Sequence, residues 1–218
     1  HSVPEGSAPN VARHIDFGRG DLEAGFAEAD VVRSAHYTTE ATHQGYIEPH
    51  AAVGQMGADG KGEMWVCTQG QWYIRKMCSA VLGTDPAQLR VTPSEIGGGF
   101  GGKTTIFMEP LPLALSKKAG GRPVKMVMTR AEVLRATGPT ASASMDVKMG
   151  MKKDGTITAA RVDFRMQGGP FPGASPVGEA LSCAFACYDI PNLAHHGWEV
   201  LANRPKCAAY RAPGSPMA

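Results

Sequence analysis

Between residues 97 and 104 the chain reads Gly-Gly-Gly-Phe-Gly-Gly-Lys-Thr, five glycines followed by a cation and a hydroxyl. Glycine this dense lets backbone amides approach a ligand closely, because no Cβ stands in the way. Read as G-x-x-x-x-G-K-T, the run fits a P-loop, whose amides cradle phosphates while its lysine reaches the terminal one. Gly97, Gly99 and Gly102 equally satisfy the dinucleotide fingerprint G-x-G-x-x-G. Context argues against both. A P-loop follows a buried apolar strand, whereas Pro93, Ser94 and Glu95 intervene here, and a proline removes a ladder donor. No apolar strand ending in Asp follows, since Val124 to Met128 runs into Thr129-Arg130 and Asp163 sits inside an alternating stretch. The dinucleotide reading needs an acidic residue about 20 positions on, closing a βαβ unit, and finds none that suits. A P-loop-like nucleotide-binding module is therefore kept as the alternative function, and a ligand-free flexible loop as the bland one.

Other residues invite a metal. His43, Glu48 and His50 lack the helical spacing of zinc-protease histidines and read as structural polar groups close to a strand end. His195 and His196 face opposite ways if the chain is extended there. The cysteines at 67, 78, 183, 187 and 207 form no close pair of the zinc or iron–sulfur kind, so they read as reduced, buried thiols of a cytoplasmic protein.

These residues need a scaffold. The chain has 218 residues, 43% hydrophobic, enough for a real core and against a disordered chain. A net charge of +2 suggests neither nucleic acid nor an anionic membrane as partner. No apolar run approaches the roughly 20 residues a membrane span needs. Residues 1–20 are polar and rich in Gly and Pro and read as a lead-in or linker. The start at His1-Ser2-Val3-Pro4 resembles a cut inside a longer chain. A helix is expected over Asp21 to Ala29, a strand over Val31 to Thr38, and a hairpin from Ala51 to Met56 and Glu63 to Thr68. A helix over Gln71 to Leu82 should stop at Gly83. Leu89 to Thr92 and Pro123 to Met128 read as strands, Ile106 to Lys118 as a helix disfavoured in its first half by Pro110 and Pro112, and Arg130 to Arg135 as a short helix. Met145, Val147, Met149 and Met151 alternate with polar residues, and Asp154-Gly155 turns the chain into Ile157 to Met166, with the methionines as core filler. Mixed sheets and hairpins with packed helices, lacking regular βαβ alternation, make the class α+β. The glycine run itself should be a non-strand loop with several positive-φ glycines.

With Phe100 and Lys103 included, G-G-G-F-G-G-K resembles the signature of the molybdenum hydroxylases: the large, molybdopterin-binding subunits of xanthine dehydrogenase, aldehyde oxidase and carbon monoxide dehydrogenase. Cys67-Thr68-Gln69 is similar to that family's T-Q segment, at its separation from Phe100. Ala209-Tyr210-Arg211-Ala212-Pro213-Gly214 is similar to its A-[FY]-R-x-x-G loop. Gly121-Arg122-Pro123-Val124, Thr129-Arg130-Ala131-Glu132, Asp154-Gly155-Thr156-Ile157 and Ile190-Pro191-Asn192 match as well. The resemblance implies that residues 21–218 are the first part of a molybdenum cofactor-binding region. Gly99, Phe100 and Gly101 would offer backbone amides, and the Phe100 ring would wall off water. Gln69 would donate its side-chain amide toward the metal's oxygens, and Arg211 its amide or guanidinium, on a Pro213-Gly214 turn of type II composition. Gln69, Phe100 and Arg211 should therefore converge around one cavity.

Departures narrow the substrate. Thr104 stands where purine-oxidising members carry a glutamate, and Glu179 where they carry an arginine before Ala180-Leu181, so Thr104 and Glu179 mark the substrate pocket and disfavour xanthine. Ala212 stands where carbon monoxide dehydrogenases carry cysteine. An aldehyde, an aromatic heterocycle or an aromatic thioester remains. The resemblance implies a molybdopterin-dependent oxidoreductase using water as its oxygen source, with the pterin's cytosine dinucleotide form left open. It implies iron–sulfur clusters and FAD on partner subunits or domains, and the remaining half of the same subunit as a partner. The family's general-base glutamate would lie beyond Ala218, so no catalytic residue is assigned within the chain, and the isolated fragment is expected to be inactive.

Overall fold

The computed structural model describes residues 6–218. The chain runs β1 (Val11–Arg19), α1 (Leu22–Ala27), β2 (Val31–Thr39), β3 (Ala51–Met56), β4 (Gly62–Val66), α2 (Gln71–Leu82) and β5 (Leu89–Pro93). It continues with α3 (Pro110–Lys118), β6 (Val124–Val127), α4 (Arg130–Ala136), β7 (Ala143–Met151), β8 (Ile157–Gly169), α5 (Val177–Cys183) and β9 (Asn192–Leu201). Two compact units result: residues 6–42, 139–207 and 212–218 form the first, and residues 43–138 and 208–211 the second. The fold is α+β.

The first unit is a five-stranded sheet of order β1-β9-β8-β7-β2. The β7–β8 hairpin closes where expected, with Gly155 at φ 92 and the Thr156 amide donating to Asp154 Oδ1. Strands β8 and β9 run parallel, so the chain must cross over between them, and α5 lies on that crossover. Val162, Phe164 and Met166 alternate inward and are buried with Val177, Ala180 and Leu181 of α5. Contact there is close: a Cβ on Gly197 would meet Leu181 Cδ1 at 2.5 Å. Met145 and Met166 are buried, in keeping with core filler, whereas Met149 and Met151 are only half-buried.

The second unit is a four-stranded sheet of order β5-β4-β3-β6, with β3–β4 the expected hairpin and β4–β5 parallel. Its core joins Met64 and Val66 to Ile74 and Cys78 of α2 and Leu113 of α3. Gly83 caps α2 at φ 65, and Thr129 and Glu132 form a capping box on α4.

Several expectations are corrected. Residues 11–19 are no linker but the edge strand β1, paired throughout with β9. Only one face of an edge strand meets the core, and Ile15 packs there, so the segment's polarity concealed its strand. Residues 1–5 of that supposed linker lie outside the described residues. The helix expected from Ile106 begins at Pro110, where a proline's missing N–H would be unbonded in any case. Neither α5 nor β9 stood out in the sequence. Cys67, Cys78 and Cys207 are buried, and burial pushes the Cys78 thiol up to about 12 and the Cys207 thiol to about 11. Cys183 and Cys187 are exposed, against expectation: α5 buries its Val177, Ala180 and Leu181 stripe and leaves Cys183 outward, and Cys187 lies in the turn beyond the helix. Among the described residues no helix is long and apolar enough to cross a membrane.

Candidate functional site

Beyond β5 the glycine run forms an irregular loop in the second unit, with neither strand nor helix. Gly98 and Gly101 have φ of 96 and 97, but Phe100 also lies in the left-handed region at φ 50, where a side chain is disfavoured. The other glycines serve closeness rather than conformation, as at Gly99, where a Cβ would lie 2.5 Å from Gln69 Oε1.

Gln69, just ahead of α2, reaches into this loop. Its Oε1 accepts the amides of Gly101 (2.9 Å) and Lys103 (3.3 Å), and its backbone N–H donates to Lys103 O. Two N–H donors demand the oxygen there, so the carboxamide NH2 is the end left over. From the other side the Arg211 amide donates to Phe100 O at 2.9 Å, and a Cβ on Gly101 would come within 2.8 Å of Ala209 O. Gln69, Phe100 and Arg211 thus converge on one loop; the cavity expected around them is not what these contacts define. The amides of Gly101 and Arg211, both expected to face a ligand, are instead committed within the loop. Those of Gly98, Gly99 and Phe100 have no acceptor among the described residues. The Arg211 guanidinium likewise has no ion-pair partner among them. Beyond it, the Ser215 amide donates to Ala212 O around Pro213 and Gly214 at φ 86, the expected turn.

Lys103 decides the alternative. Its side chain is 0% exposed and its Nζ donates to Glu48 Oε2 at 2.6 Å, 5.0 Å from the Tyr46 ring centroid. Glu48 Oε2 also accepts the Gly97 amide, so one carboxylate ties both ends of the glycine run. Burial alone would raise the Glu48 carboxyl, but the hydrogen bonds from Lys103 and Gly97 and the Lys103 charge hold it below its ordinary value. A lysine locked in this way cannot reach a terminal phosphate, and Pro110 opens no phosphate-facing helix directly after the loop. The nucleotide-binding alternative has no support.

Behind the loop, His50 is fully buried between Tyr46 Oη (2.8 Å) and Glu109 Oε1 (3.2 Å), and His43 bonds Thr137 Oγ1. Burial, with Arg130 nearby, lowers the His43 pKa. His43, Glu48 and His50 therefore act as structural polar groups. Thr104 donates its hydroxyl to Gly101 O at 2.7 Å, bracing the loop. Glu179 belongs to the first unit, on the first turn of α5, lining a surface cavity of about 670 Å³ with Arg13 and Cys183. Sequence reasoning missed Gln44, whose Nε2 donates to Gly138 O and Ala209 O and whose Oε1 is buried without a partner. No pattern marks a lone glutamine, so nothing in the sequence could have found it.

Comparison with known proteins adds to this geometry. The model of the molybdopterin cofactor-binding domain matches residues 3–218. The probable hypoxanthine oxidase XdhD of Escherichia coli (strain K12) is 32% identical over 221 residues, covering 99% of this chain and 23% of that protein. The nicotinate dehydrogenase large molybdopterin subunit of Eubacterium barkeri is 29% identical over 208 residues, covering 94% of this chain and 48% of that protein. Among solved structures, the aldehyde oxidoreductase from Desulfovibrio gigas superposes with a TM-score of 0.87 at 29% identity, covering 97% of this chain and 24% of that one. The chain thus spans from about a quarter to about half the length of these relatives.

Proposed function

Because the chain belongs to the molybdopterin cofactor-binding domain family, we propose that its glycine loop is a cofactor-facing wall of a molybdenum-dependent oxidoreductase that acts on a small molecule. One observation carries this reading: the loop's remaining hydrogen-bonding capacity is donor capacity. Three successive amides, at Gly98, Gly99 and Phe100, have no acceptor among the described residues, and Gln69 has spent its oxygen on Gly101 and Lys103. Such a surface fits a ligand rich in oxygens, as an oxo-metal centre with a phosphate-bearing pterin is.

When bound, the group supplies two-electron oxidation of a carbon centre with water as the oxygen source. The Gly99 and Phe100 amides and the Gln69 NH2 hold it by donating hydrogen bonds. Gly101 serves by gripping Gln69 through its amide. The half-exposed Phe100 ring excludes water from the same side, and the Arg211 guanidinium offers charge to an anionic group. Phe100 at φ 50 stores strain of order 1–3 kcal/mol, as positions that hold ligands commonly do. With its hydroxyl tied to Gly101 O, Thr104 presents no carboxylate to grip a purine. We therefore favour an aldehyde or another aromatic heterocycle as substrate. Thr104 and Glu179 remain our choices for residues of the substrate pocket. We read the chain, β1 included, as part of a larger cofactor-binding region in a cytoplasmic enzyme; its 23% share of the length of XdhD supports the larger region. Iron–sulfur and flavin partners would carry electrons away.

Metal analysis of the full-length protein from molybdenum-replete cells tests this. Near-stoichiometric molybdenum with a fluorescent pterin on oxidation is expected. Gln69→Ala should lower turnover about 10²–10³-fold, the usual loss for one well-placed donor. Absence of molybdenum together with magnesium-dependent ATP binding would sink the proposal.

A further inference from the structure

On the sheet of the first unit, the face away from α5 carries one rung of titratable side chains, Asp16, His196, Asp163, Asp146 and His36, aligned by register across all five strands. Over most of it each carboxylate is matched by a guanidinium. Arg161 pairs with Asp163 at 2.9 Å, and Arg165 with Asp146 at 2.6 Å, while His36 adds a 2.7 Å contact to Asp146. The β1 end differs. Asp16 is in contact with the His196 ring, and His14, two residues along β1 and so on the same face, completes a group whose ligand atoms all lie within 4.8 Å of one another.

We propose that His14, Asp16 and His196 form a binding site for a divalent transition metal of the zinc class, bridging β1 and β9. Two imidazoles and one carboxylate favour such an ion over magnesium or calcium, which prefer all-oxygen sets. Three protein ligands leave a fourth position for water. Zinc–nitrogen bonds of about 2.0–2.1 Å place tetrahedral ligands roughly 3.3 Å apart, so His14 must close in on the pair while the Asp16 and His196 atoms, already in contact, part to admit the ion. Trp198, directly opposite His14, supports both rings, with its centroid 4.9 Å from His14 and 6.2 Å from His196. Arg165 lies over the same indole at 5.2 Å, but its charge is answered by Asp146. Among the described residues strand β1 pairs with β9 alone, so a metal held by both clamps the sheet's edge, and binding to the folded chain alone stabilises it.

Calorimetric titration of the full chain with zinc chloride in a non-chelating buffer tests the site, with cobalt(II) absorption as a reporter of coordination. One ion per chain is expected, with a rise in Tm that EDTA reverses. His14→Ala, Asp16→Asn and His196→Ala should each weaken binding more than about tenfold, since even second-shell losses cost 10–100-fold. His36→Ala, altering the far end of the same rung, should leave binding unchanged. All three ligand side chains are partly exposed, and circular dichroism confirms that each variant is folded before titration. Absence of saturable binding, binding that persists in the His14→Ala/His196→Ala double variant, or equal loss in His36→Ala would overturn the proposal.

Discussion

Glu48→Gln is expected to destabilise the second unit by about 3–5 kcal/mol, the cost of stranding one member of a buried ion pair. The stranded group is the Lys103 ammonium, whose side chain is 0% exposed. Both the Gly97 amide and Lys103 Nζ donate to Glu48 Oε2, so a carboxamide oxygen there can still accept both, and the loss is the negative charge that answers Nζ. The Tyr46 ring, 5.0 Å from Nζ, returns about 0.5–2 kcal/mol through a cation–π contact and places the outcome toward the lower end. Lys103→Met should cost less, about 1.5–3 kcal/mol, the worth of a charge-assisted hydrogen bond. The asymmetry follows from exposure: the Glu48 side chain is 30% exposed and can turn to water once its partner is gone. The double variant should accordingly be more stable than Glu48→Gln alone. Urea unfolding followed by fluorescence suits the question, because Trp65 and Trp72 lie in the same unit. A Lys103→Met variant as unstable as Glu48→Gln, or a Glu48→Gln cost under about 0.5 kcal/mol, would refute the reasoning.

The same carboxylate sets a pH dependence. Its folded pKa lies below the ordinary 4.5, so its contribution is complete above pH 4.5 and is lost as pH falls through the folded value. Urea midpoints measured over roughly pH 3 to 6 should fall toward acid in the parent chain and flatten in Glu48→Gln. Gly101→Ala should cost at least about 1–3 kcal/mol, because φ 97 and Ala209 O at 2.8 Å both oppose a Cβ, and hydrogen exchange at the Arg211 amide should quicken. Phe100→Gly should relieve about 1–2 kcal/mol of left-handed strain and so not lower the melting temperature, while reducing molybdenum content of the full-length protein. In the first unit, Glu199 Oε1 accepts the amides of Gly173, Ala174 and Ser175, so Glu199→Ala should cost about 1–3 kcal/mol by calorimetry and Glu199→Gln less.

Much of the scaffold was written locally. Asp21 as a cap, Gly83 in the left-handed region, the Thr129 and Glu132 capping box and the Asp154-Gly155 turn act within a few residues of themselves, so their elements are legible without the fold. The glycine run, Gln69 and Arg211 were legible for another reason: their residue types and spacing match a family signature, and they do converge on one loop. What the sequence could not disclose depends on partners distant along the chain. Strand β1 exists because β9 lies beside it, and β9 because a crossover through α5 returns it to β8, long-range pairings that polar, Gly-rich segments do not announce. The roles of single atoms were likewise tertiary. Lys103, a phosphate-reaching cation on paper, is neutralised by Glu48, and the amides of Gly101 and Arg211 turn inward to Gln69 and Phe100, leaving those of Gly98, Gly99 and Phe100 as donors. A hydrogen bond is settled by which acceptor arrives within reach, and for these groups every acceptor comes from a segment that only folding brings near.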